Sequence, residues 1–206
     1  MAIPQSALVP FFKAMRKALG AQAATTRVSV PGGLFMQNLG LRNTNDIDVI
    51  LKGVTTIDRI KLRDSIIAAD NSFTINLEKV CGVTYRDPDT KIIIPIDIID
   101  EGVTGFMPLG VLLGELNDTD VPWPEADEVI KMKILAAPDR EDLNKGMRDL
   151  DDVKALLSEG ANVSMTYKDD TEKATIEAAF EKFLAIYLEK ETAWSKEVWK
   201  KKLGLI

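Results

Sequence analysis

The stretch Asn45–Leu51, NDIDVIL, constrains the fold more than any other part of the chain. A strand sends residues i and i+2 to the same face. A strand beginning near Asn45 therefore projects Asp46 and Asp48 together, with Ile47 and Val49 on the opposite, buried side. Two acids on one rigid face repel unless a cation sits between them. Mg²⁺ is the natural candidate, because it takes oxygen ligands and completes its shell with water and substrate phosphates. An EF-hand is excluded, since no glutamate stands at the twelfth position counted from Asn43 or Asp46. Upstream, Val30–Asn43 reads as a strand end, a Pro31-Gly32-Gly33 turn and a short helix. Glycines without a Cβ let backbone N–H groups approach a phosphate, and the helix start adds a positive dipole end.

Gly32-Gly33, a short helix and then Arg42-x-Thr44-x-Asp46-Ile47-Asp48-Val49 resemble the signature of the DNA polymerase β-like nucleotidyltransferase superfamily. The pattern is similar to its minimal members of the toxin and antibiotic-modifying types. The resemblance requires a third carboxylate on a later strand, in an apolar-Asp-apolar setting. Lys91–Asp100, KIIIPIDIID, supplies it in Asp97. Ile92, Ile94, Ile96 and Ile98 share one face of that strand; Ile93, Pro95, Asp97 and Ile99 share the other. Asp100 is the rival, but it falls at the strand end on the isoleucine face. Pro95 points to an edge position or a bulge. Many family members carry Gly-Ser at the turn, with the serine hydroxyl on a phosphate. Gly33 lacks that hydroxyl, so the contact is either absent or replaced by Asn38, Asn43 or Thr44.

Val129–Ala136, VIKMKILA, followed by Arg140 and then Arg148–Val153, RDLDDV, also resembles these enzymes. In them a lysine on such a helix faces the nucleotide phosphates, and Lys133 takes the matching place. The alternative is a lysine lying over apolar neighbours with its charge in water. Asp149 and Asp152 read as residues that fix helix packing. The resemblance runs from Val28 to Leu157.

The resemblance implies transfer of a nucleoside monophosphate from an NTP to an acceptor hydroxyl, with release of pyrophosphate. Two Mg²⁺ ions about 4 Å apart, or Mn²⁺ in their place, would be held by Asp46, Asp48 and Asp97. Asp97 is the general base; Gly32, Gly33, Arg42, Thr44 and Lys133 hold the nucleotide. A small molecule, an RNA end and a protein hydroxyl all fit as acceptor. The rival reading is a catalytically silent nucleotide-binding module, whose mark would be loss of an acid, and all three acids are present.

What the chain lacks narrows the chemistry further. It contains no histidine, so Ser-His-Asp and Cys-His catalysis and imidazole zinc sites are out. No G-x-x-x-x-G-K-[ST] or G-x-G-x-x-G fingerprint occurs. Cys81 is the only cysteine, which fits a reducing, cytoplasmic setting. The N-terminus lacks the layout of a secretory peptide, and no run of about 18 apolar residues suggests a membrane span. A net charge of −6 argues against a globally basic nucleic-acid surface. Lys196, Lys200, Lys201 and Lys202 nevertheless cluster near the end, where cations in a last helical turn suit the helix dipole. The alternative is an RNA-binding role, with Trp194 and Trp199 available for stacking. The expected architecture is α/β (α+β), a mixed sheet core with flanking helices over 1–107 and a helical lobe over 108–206. Within it Lys79–Tyr85 reads as a strand, and a short strand is considered over Asn162–Tyr167.

Overall fold

The computed structural model describes residues 3–52, 56–100, 102, 105–158, 163–187 and 193–206. The chain divides into two units, Met1–Val103 with Met107–Pro124, and Thr104–Phe106 with Glu125–Ile206.

The first unit carries a six-stranded sheet: β1 (Arg27–Ser29), β2 (Ile47–Lys52), β3 (Phe73–Ile75), β4 (Val83–Arg86), β5 (Ile93–Asp100) and β6 (Val111–Leu112), in the order β3-β4-β5-β2-β1-β6. Only β2 and β5 run parallel; every other pairing is antiparallel. Its helices are α1 (Leu8–Leu19), α2 (Gly33–Asn38) and α3 (Thr56–Ala69). Phe11, Phe12 and Met15 of α1 and Leu62 and Ile66 of α3 join one buried cluster with Ile47, Val49, Leu51, Ile94, Ile96 and Ile98. Burial of each such side chain contributes about 1.5–3 kcal/mol. That cluster fixes which face of β2 and β5 is inside, and alternation sends Asp48 and Asp97 to the other. A slip by one residue would put both carboxylates into the core.

Two expectations on this sheet are corrected. Pro95 lies in an inner strand, not at an edge: it stands opposite Thr84, and the ladder with β2 begins only one residue later, at Ile96 opposite Ile47. The missing N–H therefore removes no bond from that ladder. Residues 79–82, expected to start a strand, instead close a turn before β4. The sheet unit also extends beyond residue 107. Val111 and Leu112 pair with Val28 and Arg27 as β6, and Gly110 at φ +56 makes the approach, where a Cβ would lie 2.5 Å from the Val28 carbonyl oxygen.

The second unit is helical among its described residues: α4 (Ala126–Ala136), α5 (Leu143–Leu157), α6 (Asp170–Tyr187) and α7 (Lys196–Lys202). Of the strand considered over 162–167, residue 162 lies outside the described residues and 163–167 are not a strand. The stripe Ile176, Phe180, Phe183, Leu184 and Tyr187 of α6 is buried throughout. Tyr187 crosses to donate to the Ala137 carbonyl at 3.2 Å, passing over Gly146 of α5. A Cβ at Gly146 would collide with the phenol of Tyr187. Gly146→Ala, which on helix propensity alone would stabilise by about 1 kcal/mol, should therefore destabilise by about 1–3 kcal/mol through overpacking. Urea unfolding midpoints decide it, and a more stable variant would contradict this packing.

Candidate active site

The site is built from the β2–β5 ladder outward. Its register sets Asp48 directly opposite Asp97, and Ile47 opposite Ile96. Neighbouring strands lie about 4.8 Å apart, so the two carboxylates leave the sheet side by side. Both residues are half-buried, on the face away from α1 and α3. Asp46 immediately precedes β2, which starts at Ile47; the Thr44 hydroxyl donates to its Oδ1 at 3.0 Å and tethers it. Asp100, the rival of Asp97, is engaged elsewhere: its carboxylate pairs with the guanidinium of Arg59, which also donates to the Ile98 carbonyl at 2.8 Å.

The glycine turn fits around these acids. Gly32 has φ +76, and a Cβ there would lie 2.5 Å from Oδ2 of Asp48. A Cβ at Gly33 would lie 2.7 Å from Cβ of Thr44 and 3.3 Å from Nη1 of Arg42. Both glycines are therefore required first by the side chains packed against them. Arg42 in turn donates to the Asn43 carbonyl at 3.2 Å. Gly32, Gly33, Arg42, Thr44, Asp46, Asp48 and Asp97 thus form one contiguous cluster.

Lys133 belongs to the other unit and is buried on α4. Its ammonium lies 2.7 Å from Oδ1 of Asp149 and 2.7 Å from Oδ2 of Asp152, and Arg140 donates to Asp149 at 3.1 Å. Lys131, two residues earlier, is held between the rings of Phe106 and Tyr167 and pairs with Glu172 at 3.2 Å. Burial pushes the Tyr167 phenol up to about 12, with Glu172 and Asp127 adding to the shift. Three C-terminal lysines are also engaged: Lys200 with Glu177 and Glu181 of α6, Lys196 with Glu181, and Lys202 with the Leu157 carbonyl. Trp199 is fully buried against Phe180, so it offers no face for stacking on RNA.

One site residue escapes the sequence reading. Lys79, in the turn between β3 and β4, places its Nζ 3.3 Å from Oδ2 of Asp97. Burial disfavours its charged form, but Asp97, through charge and hydrogen bond, and then Asp48 and Asp46 outweigh that and hold its pKa above the ordinary lysine value. All three acids therefore act on a single cation. Asn76 and Gly82, both turn formers, were the available signal that residues 76–82 bend back. Among the described residues, no three acidic or cysteine side chains converge into a ready-made metal cage. What the fold brings together is the pair Asp48 and Asp97, with Asp46 tethered beside it.

No protein-family model and no curated protein sequence matches the chain. Among solved structures, the chain is similar to the crystal structure of an antigenic nucleotidyltransferase-like protein from Paracoccidioides brasiliensis. The TM-score is 0.61 at 15% identity, over 99% of this chain and 95% of that one. The fold is therefore nucleotidyltransferase-like.

The Gly33–Thr44 contact yields a test of the local geometry. Gly33→Ala should cost about 1–3 kcal/mol, and Thr44→Gly introduced beside it should recover part of that loss. A double-mutant cycle from denaturant unfolding measures the coupling; strictly additive effects would contradict the packing.

Proposed function

We propose that this protein is a nucleotidyltransferase that moves a nucleoside monophosphate from an NTP to an acceptor hydroxyl, with release of pyrophosphate. The observation that carries this reading is the register of β2 and β5, which sets Asp48 beside Asp97 on the face of the sheet turned away from α1 and α3. The nucleotidyltransferase-like fold of the structural neighbour supports it.

Asp48 and Asp97, joined by Asp46, would hold Mg²⁺, or Mn²⁺ in its place. Magnesium is commonly bound by only one or two carboxylates, with substrate phosphates and water completing the shell. An incomplete protein cage beside a glycine turn is what such an ion requires, and the ammonium of Lys79 on Asp97 marks the place as one that attracts cations. When bound, the ion neutralises triphosphate charge and lowers the pKa of the acceptor hydroxyl.

The protein groups do the rest. The triphosphate lies along the backbone at Gly32 and Gly33, with Arg42 beside it and Thr44 keeping Asp46 in place. Asp97 takes the proton from the acceptor hydroxyl. The hydroxyl oxygen forms its bond to the α-phosphorus as the bond to the bridging oxygen breaks, and pyrophosphate leaves. Most of the acceleration in such a site comes from positioning and charge neutralisation. Lys133, held by Asp149 and Asp152, braces α4 against α5.

Labelling tests the reading. Incubated with α-labelled NTPs, Mg²⁺ and a cell extract, the protein should pass label to an acceptor, sorted by ribonuclease, protease and filtration into RNA, protein or small molecule. Asp97→Asn should lower transfer by about 10²–10⁴-fold while nucleotide still binds, and Asp48→Asn should abolish it with the fold intact. Nucleotide binding with no label transferred in any extract would instead favour a silent binding module.

A further inference from the structure

Lys79 is placed with more care than a surface lysine needs. The turn that carries it is closed by backbone bonds from Asn76 to the Gly82 carbonyl at 3.1 Å, Lys79 to the Asn76 carbonyl at 3.3 Å and Gly82 to the Lys79 carbonyl at 3.2 Å. The Asn76 side chain adds a fourth, accepting from the Glu78 N–H at 3.0 Å. Gly82 lets this turn press against β5: a Cβ there would lie 2.6 Å from Cβ of Lys79 and 3.3 Å from the Ile96 carbonyl oxygen. The antiparallel ladder of β4 and β5 ends at Val83 opposite Ile96, so the turn begins where Asp97 stands. The result is an ammonium 3.3 Å from Asp97 Oδ2, on a side chain still 38% exposed. So exposed a pair contributes at most about 1 kcal/mol to stability, which leaves the construction of the turn unexplained by folding.

We propose that Lys79 is the tethered cation of this site: its ammonium holds Asp97 until a divalent ion takes that carboxylate, then swings onto the triphosphate of the incoming nucleotide. This rests on the nucleotidyltransferase reading and adds a nucleotide-binding residue to it. A chain of contacts links the two places. Gly32, where the triphosphate is to lie, packs against Asp48, Asp48 stands opposite Asp97, and Asp97 holds Lys79. A lysine suits the task because its charge is a compact point at the end of a flexible stem. A fixed guanidinium, such as that of Arg59 on Asp100, could not let go so readily.

Lys79→Met keeps the stem that packs beside Gly82 and removes only the charge. Direct titration of the full chain with Mn²⁺ alone, followed by spin resonance, should give about tenfold tighter binding for Lys79→Met than for the natural protein, because the competing cation is gone. Titration of a non-hydrolysable NTP at saturating Mn²⁺ should give about tenfold weaker binding for the variant. Melting temperatures should agree within a few degrees, so that changes in affinity report the lost charge and not a loosened fold. Unchanged affinity in either titration overturns the proposal while leaving the transferase reading in place. If neither protein binds Mn²⁺, the metal-dependent reading fails and this proposal with it.

Discussion

The parallel pairing of β2 with β5 is the constraint on which the site depends. It joins two strands distant in sequence, and its register alone decides that Asp48 and Asp97 are neighbours. The register is held from the other face, where Ile47, Val49, Ile96 and Ile98 lock into the cluster beneath α1 and α3. Core packing and site geometry are therefore one constraint seen from two sides of the sheet. The glycines follow from it as well, since Asp48 occupies the space a side chain on Gly32 would need.

Strand β5 carries two acids and gives each a different cation. Asp100, near the strand end, meets the buried Arg59, whose second bond to the Ile98 carbonyl ties α3 to the sheet. Removing one partner of such a buried pair typically costs about 3–5 kcal/mol, so this pair belongs to the fold. Asp97 meets the half-exposed Lys79, whose loss should cost the fold little. The same contrast recurs in the helical unit, where Lys133 lies buried between Asp149 and Asp152. The buried cations serve the architecture, and the half-exposed Lys79 faces the acids proposed to bind metal.

The strands that carry the acids were legible because each alternates apolar and polar residues strongly enough to reveal its faces. That alternation separates Asp97 from Asp100, and β5 does place Asp97 opposite its buried isoleucines. Local pattern could not reveal what depends on distant partners. Val111–Leu112 is too short to show a period and becomes a strand only by pairing with β1, so the sheet unit continues to Pro124. Pro95 suggested an edge because its place just before the parallel ladder is set by tertiary pairing. Lys79 read as part of a strand, since Val80, Cys81 and Val83 favour one, and the turn bonds of Asn76 and Gly82 override that preference. The helix-dipole reading of the lysines near the C-terminus needed no partners, and the sequence does not display the glutamates of α6 that meet Lys196 and Lys200.

If the β2–β5 register creates a cation site completed by a nucleotide, a crystal grown with Mn²⁺ and a non-hydrolysable NTP should show it in the anomalous difference map at the manganese edge. The expected peak is flanked by the Asp48 and Asp97 carboxylates at metal–oxygen distances of about 2.1 Å, with triphosphate oxygens completing the shell. An ordered nucleotide whose manganese lies away from both carboxylates would contradict that site.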